Sequence, residues 1–436
     1  MNAHVDTFPE SCERVSESVG IELPDVPFQV PSQCSAKNIL TSMSLTGSLD
    51  QFAGLAPGPY AGLVLADNGA TVIRVDRLSS SSTDVLCRGK RSLAIDVKTS
   101  SGREILKRLI STADVVIDPF RPGVLEKLGL GPDVFLGHGE RKGLNDGLVF
   151  ARIAGFPRTG PYKDMAGHDI NYIALSGALS MLPGTAEKPA FPVNLLADFA
   201  GGGLMCAVGI LLALFERAKS GRGQVVNVDM VSGTRYISSF PLLQKLLPHS
   251  ALFAGARGTN ILDGGAPFYN IYTCKDGGLM SVGCLEPQFF AAFINGFLKA
   301  LPQDFALSDG WRPMLQSQTN VGEWPKLKEF LEKGFCTNTR QYWADVFLGT
   351  DACAVPVLSP KEASANFDSP HPTPHPSITG SYGAAKVNLA TVNLQPGLHT
   401  ADILTELGLS SHEIKRLAGE GVIMDKSKGS VLNHKL

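Results

Sequence analysis

Apolar positions along this chain alternate between two rhythms. Residues 54–76 open with the Gly/Pro-rich turn Gly54-Leu55-Ala56-Pro57-Gly58, continue as a helix through Tyr60 to Asp67, and place Gly69 as its C-cap. Thr71-Val72-Ile73-Arg74-Val75 then reads as a short strand. The unit repeats: Ser101 caps a helix with Ile105, Leu106, Leu109 and Ile110 on one face, and the strand Val115-Val116-Ile117 runs into the turn Arg121-Pro122-Gly123. A third strand, Leu148 to Ile153, follows a polar loop; a long apolar helix covers Leu204 to Lys219; Gln224 to Met230 is strand again. Short apolar strands alternating with amphipathic helices predict a mostly parallel, doubly wound α/β sheet with helices on both faces.

Past residue 240 the texture changes. Strand pairs joined by the turns Asp263-Gly264 and Asp276-Gly277 precede helices carrying Phe289, Phe290, Phe293 and Trp324, which predicts a second, smaller α+β domain. In Ser369 to Pro376 every second residue is proline, and each biases its predecessor away from helix, so this is a stiff extended linker. His371 and His375 have the spacing of a metal pair but read as solvated linker residues, and no metal site is expected. Residues 397–417 form two short helices with apolar faces that dock back on the first domain. The expected organisation is a largely disordered extension over 1–42, a large Rossmann-like domain over 43–240 plus 377–425, a small domain over 255–362, a linker over 363–376 and a tail over 426–436.

Composition narrows the function classes. A chain of 436 residues is long enough for two domains, and 44% hydrophobic with 18% charged residues describes a soluble globular protein. A formal net charge of −2 excludes a broad nucleic-acid surface, which needs a Lys/Arg excess. The eight cysteines show no C-x-x-C spacing and no secretory leader precedes them, so reduced intracellular thiols are expected, without structural zinc. The longest uncharged apolar run, Phe199 to Phe215, is broken by four glycines and falls short of the roughly 20 residues of a membrane span. It reads as a buried helix. No G-x-G-x-x-G follows the first strand, which argues against NAD and FAD.

Three segments carry more polar and glycine residues than packing requires: Ala166 to Tyr172, Leu195 to Gly203, and Leu262 to Tyr269 with Glu286 beyond. Each has a structural reading: His168 as a residue of a helix cap, Asp198 as an N-cap, Asp263 as a hairpin turn. Capping alone does not call for Gly201, Gly202 and Gly203. Each costs about 1 kcal/mol relative to alanine in a helix, so a ligand or a second backbone is expected to approach closely there. Arg88, Lys90 and Arg91 are either a solvated charge run or contacts for an anion.

Long strings of the chain, among them GLAPGPY, LADNGATVIRVDR, RGKRSLAIDVK, PFRPGVLEKLGLGP, AGHDINYIALSG, NLLADFAGGGLMCA, LDGGAPFY and GLHTADILTELG, resemble the α-methylacyl-CoA racemases of the class III CoA-transferase superfamily. The resemblance runs from about Gly54 to about Leu417. It implies an isomerase that interconverts (2R)- and (2S)-2-methylacyl-CoA thioesters, with His168 and Asp198 as acid/base pair and Glu286 as partner of the histidine. Inversion through a planar enolate needs one proton carrier on each face, which makes that pairing chemically sensible. The enolate oxygen needs preorganised donors, implied to be backbone N–H groups at the start of the helix following His168, notably that of Asp169, and Gly167 and Asp169 are implied to contact the CoA thioester. Arg77, Ile95, Asp96, Val97, Lys98 and Arg121 are implied to bind the CoA moiety, making the large domain the CoA-binding one.

The resemblance further implies an intertwined homodimer in which Glu286 comes from the other chain, and no cofactor apart from the CoA of the substrate. The alternative within the superfamily is a CoA-transferase that uses Asp198 as nucleophile. A transferase needs no second base, so His168 together with Glu286 favours racemisation. One departure concerns the start: the family opens with an apolar strand directly before GLAPGP, whereas residues 43–52 here are polar and weakly patterned. At the other end His434-Lys435-Leu436 is close to the Ser-Lys-Leu address read by the peroxisomal import receptor. Peroxisomal localisation is expected, with mitochondrial and cytosolic placement as alternatives, and the acid-rich first 40 residues oppose a mitochondrial presequence.

Overall fold

The computed structural model describes residues 39–43, 56–79, 81–185, 187–248, 250, 252–367, 369–377 and 392–426, with 39–43 described as backbone. The first 38 residues, like His434 to Leu436, lie outside the described residues. The strands are β1 (Ile39–Met43), β2 (Val72–Asp76), β3 (Lys90–Ile95), β4 (Val115–Asp118), β5 (Val149–Ala154), β6 (Gln224–Asp229), β7 (Tyr269–Thr273), β8 (Leu279–Gly283), β9 (Ala354–Pro356) and β10 (Ile423–Met424). Seven of them form one sheet in the order β10-β3-β2-β1-β4-β5-β6, parallel except for β10, which runs antiparallel along β3. Leaving β10 aside, the order reverses at β1, as in open doubly wound sheets that bind ligands beyond the carboxyl ends of their strands.

Strand periodicity sorts the side chains onto two faces. Ile73, Val75, Leu93, Ile95, Val116 and Phe150 join one core with Ile105 and Leu109 of α2 (Ser100–Ser111). After the small helices α3 (Val124–Lys127) and α4 (Pro132–Leu136), the β4–β5 crossover closes over the same core with Leu125 and Phe135. Val72, Val115, Ile117, Val149 and Ala151 face the other way, onto α1 (Pro57–Asp67), α5 (Asp169–Ser176) and α6 (Met205–Ser220). The chain then runs through α7 (Met230–Ile237) and α8 (Ser239–Leu246).

Residues 266–354, the region of the expected small domain, build a third core. One face of the antiparallel sheet β7-β8-β9, with Tyr272, Met280 and Val282, packs on α9 (Pro287–Ala300), α10 (Trp324–Phe335) and α11 (Arg340–Phe347). Phe293, Phe297, Phe335 and Trp343 stack there with ring centroids 4.7 to 6.4 Å apart. The opposite face of the sheet leaves Tyr269, Ile271, Leu279 and Val355 exposed.

The C-terminal segment returns to the large sheet through α12 (Pro360–Asn366), α13 (Thr400–Glu406) and α14 (Ser411–Gly419). Arg74, almost wholly buried in the middle of β2, anchors it: Nη2 donates to the carbonyl of Leu394 at 2.7 Å. The same guanidinium meets Asp76 at 3.0 Å and Asp84 at 3.2 Å, and Ser92 donates to Asp76 at 2.6 Å. His399 accepts the Ser92 N–H on Nδ1 at 3.1 Å.

Several sequence-based expectations change. A strand is present at Ile39–Met43, so the extension placed over 1–42 already holds most of the central strand, while residues 44–52 lie outside the described residues. β3 was hidden by its charges, Lys90 and Arg91, which the fold neutralises at a distance. The linker placed over 363–376 starts late, because α12, with its Ser359/Glu362 capping box, runs to Asn366. Asp263 joins no hairpin: it closes a short 3-10 turn, accepting the N–H groups of Gly258 and Asn260 at 2.8 Å each.

Candidate active site

The crossover from β5 to β6 brings the two central candidates together. Residues 155–167 leave β5 as a loop pinned by rings, with Phe156 stacked on Tyr162 and edge-on to Tyr172, whose hydroxyl donates to the carbonyl of Gly167. His168 follows in extended conformation as the cap of α5, its N–H donating to the Asn171 side chain at 3.0 Å. Its ring is on an exposed residue.

Asp198 lies neither on a strand end nor at an N-cap. Leu195–Leu204 is a π-helical segment that runs straight into α6, and Asp198 occupies its first turns. Wide helices of this kind are rare and concentrate at functional sites. The glycine triplet is explained by a second backbone rather than a ligand. A Cβ on Gly201 would sit 2.6 Å from the backbone N of Thr234, and one on Gly203 2.9 Å from the carbonyl of Pro57. The triplet thus lets α7 and the start of α1 press against the turn that carries Asp198.

Three groups act on the Asp198 carboxyl besides its burial. Burial pushes it up to about 6; the Asn194 amide, donating at 3.2 Å, and His168 pull it down, while Asp169 pushes it up. His168 is therefore within electrostatic reach of Asp198. Asp169 is itself buried and its carboxyl raised by burial, against the pull of two backbone N–H groups, those of Asp198 and Ala197. Glu286 stands elsewhere in the chain: it caps α9 in the small domain and acts on Cys284 and Cys353, and it is not among the groups that shift Asp198. Gln318 holds the loop in front of it, donating to the carbonyl of Leu285 at 2.9 Å.

Among the described residues Ala56, Val193 and Cys353 are the non-glycine positions with positive φ, at 91°, 45° and 48°. Val193 immediately precedes Asn194, and Cys353 is the neighbour of Glu286. Backbone strain of this sort concentrates at functional sites, and no spacing in the sequence announced it.

The positions implied for CoA gather at strand ends of the large sheet. Arg77 follows β2; Ile95 closes β3, and Asp96, Val97 and Lys98 turn from it toward α2, with Asp96 accepting the Lys98 N–H at 2.9 Å. Arg121 lies past β4 and reaches the carbonyl of Asp164 at 3.4 Å, in the loop before His168. The Arg88–Arg91 run is different: Arg88 pairs with Asp67, Lys90 donates to the carbonyl of Pro59 at 2.7 Å, and Arg91 pairs with Glu406 at 2.8 Å. Those three charges serve the fold. No cluster of His, Cys, Asp and Glu suited to a metal occurs among the described residues.

Fold and site together place a carboxyl group, raised by burial, within electrostatic reach of a histidine on an α/β scaffold. Residues 51–375 match CoA-transferase family III, and the chain belongs to that family. It is 45% identical to the α-methylacyl-CoA racemase of Mus musculus over 397 residues, 87% of this chain and 98% of that protein. The α-methylacyl-CoA racemase of Homo sapiens is 43% identical, over 89% of this chain and 100% of its own length. Among solved structures, a CAIB/BAIF family protein from Brucella suis superposes with a TM-score of 0.65 at 22% identity, over 86% of this chain and 99% of that one. That likeness concerns the fold.

Proposed function

We infer that the protein is an isomerase, an α-methylacyl-CoA racemase that interconverts (2R)- and (2S)-2-methylacyl-CoA thioesters. The observation that carries this reading is the Asp198 carboxyl, raised to about 6 and within reach of His168. A group so placed both accepts and returns a proton near neutral pH, as a two-way reaction demands. In one direction Asp198 takes the C2 proton, the electron pair moves into an enolate, and His168 delivers a proton to the opposite face; in the other direction the roles exchange. The backbone N–H of Asp169, at the start of α5, stabilises the enolate oxygen. The Rossmann-like sheet holds the CoA moiety through Arg77, residues 95–98 and Arg121. Protons are the only groups exchanged, so the reading calls for no cofactor besides the CoA already on the substrate.

The working form is a homodimer in which Glu286 of the second chain reaches His168. Two uncovered apolar faces support this: one on β7-β8-β9, the other along α6 to α8, where Leu212, Tyr236, Leu243 and Leu246 are each more than half exposed. The run Leu195–Ser220 has the length and mean hydropathy, 2.0, of a membrane span. Cys206, Ala207, Ile210 and Leu214 bury one side of it in the large core, leaving the other side for a protein partner.

Incubating one epimer of a 2-methylacyl-CoA in deuterated water, without a carboxylate acceptor, tests the chemistry. Uptake of α-deuterium with formation of the other epimer is expected; no uptake, with CoA moving onto added acids, identifies a CoA-transferase that uses Asp198 as nucleophile. Mixing His168→Ala with Glu286→Gln chains should restore activity to sites built from the intact halves. Import into peroxisomes, rather than mitochondria or cytosol, is expected to depend on His434 to Leu436.

A further inference from the structure

The side chain of Asp169 makes a connection that its backbone role does not require. Its Oδ2 accepts two backbone N–H groups 28 and 29 residues further on, those of Ala197 and Asp198, each at 2.8 Å. The residue is 4% exposed, and its second oxygen, Oδ1, is buried without a protein partner. Asp169 directly follows His168, while the N–H groups it grips belong to the turn bearing Asp198. One carboxylate therefore ties the backbones of both proton carriers together.

We propose that Asp169 is a positioning residue whose carboxylate sets the separation of His168 and Asp198. The tie rests on the reading of these two residues as proton carriers. Serine or asparagine would also accept backbone N–H groups, and would not leave a buried carboxylate oxygen unsatisfied, an arrangement that costs free energy. What a carboxylate adds is charge: no cation bonds to Asp169, and its field falls on the neighbouring acid. The residue thus acts twice through Asp198, once by holding its backbone and once by favouring its protonated form. The first part matters because reacting groups misplaced by about 1 Å lose on the order of 100-fold in rate.

The test compares Asp169→Asn and Asp169→Ala with the wild-type dimer, using α-deuterium uptake and amide hydrogen exchange. In the wild type, the N–H groups of Ala197 and Asp198 should be protected. In Asp169→Ala that protection is lost while α6 stays protected, and kcat falls about 100-fold with KM changed less than about threefold, since the CoA contacts lie elsewhere. Asp169→Asn keeps an oxygen acceptor and should recover most of the rate; with the charge gone, the acid limb of its pH profile moves below that of the wild type. Unprotected Ala197 and Asp198 amides in the wild type, an Asp169→Ala enzyme with unchanged kcat, or an Asp169→Asn enzyme as slow as Asp169→Ala overturns the proposal. Amide protection is read without turnover, so a wild type that takes up no deuterium defeats the racemase reading and leaves the tie measurable.

Discussion

Two buried carboxylate networks in the large domain are built to opposite ends. Around Arg74, the carboxylates of Asp76 and Asp84 meet a guanidinium at 3.0 and 3.2 Å, and Lys90 stands 4.0 Å from Asp84. Around Asp198, two acids face each other's fields with backbone N–H groups and an amide as their donors, and no salt bridge reaches either. The first network sets its acids against a guanidinium and an ammonium group inside the sheet; in the second, burial raises both carboxyl groups and their partners are backbone N–H groups, an amide and a histidine.

The largest effect should come from Asp198→Asn. Loss of one proton carrier is expected to lower kcat at least about 10³-fold, measured by deuterium uptake. The same variant should melt higher at pH 7.5. A carboxyl whose folded value is about 6, against an ordinary 3.8, destabilises the native state once both states are ionised, and an amide escapes that cost. A lower melting temperature would place Asp198 with the structural network. Arg74→Met is the mirror experiment: it takes the guanidinium away from two buried carboxylates, and urea unfolding should show a loss of about 3–5 kcal/mol with KM little changed. A loss confined to KM would mean that Arg74 belongs to the ligand site.

pH sharpens the contrast further. In the direction in which Asp198 removes the proton, the rate should fall as pH drops through about 6, because its carboxyl becomes protonated. A profile flat from pH 5 to 8 in both directions would contradict this. The smallest effect concerns His399, lowered from 6.5 mainly by burial and by the nearby Arg91. Its Nδ1 accepts a backbone N–H and so requires a neutral ring. Below pH 6.5 the unfolded chain binds a proton that the folded chain resists, so stability is lost as pH falls from 6.5 toward the lower folded value. His399→Gln should flatten that part of the pH dependence of the urea midpoint.

Legibility in the sequence followed the range of the interactions. Strands β2, β4, β5 and β6 were readable because their apolar residues lie next to each other and their turns carry Gly or Pro. β3 was not, because Lys90 and Arg91 look like solvent-facing charges until Pro59, Asp84 and Glu406 arrive from other parts of the chain. Local composition singled out the segments that carry His168 and Asp198, the family resemblance implied their roles, and the glycine triplet announced a close approach. That the approaching backbone is Thr234 on α7, and that Asp169 reaches the backbone of residues 197 and 198, depends on contacts 28 or more residues apart. The Asp169 side chain was invisible for the same reason: a helix-start aspartate is ordinary, and only the folded chain shows what it grips.

The return of residues 392–426 to the sheet bears on how the chain is made. Ile423 and Met424 cover the outer edge of β3, and the carbonyl of Leu394 completes the shell around Arg74. While the chain is still emerging from the ribosome, the sheet therefore waits with an open rim, and one Arg74 N–H without its acceptor, until residues 392–426 have been made. Chains terminated by a stop codon near position 391 are expected to be retained by chaperones or degraded, even though His168, Asp198 and Glu286 have already been synthesised.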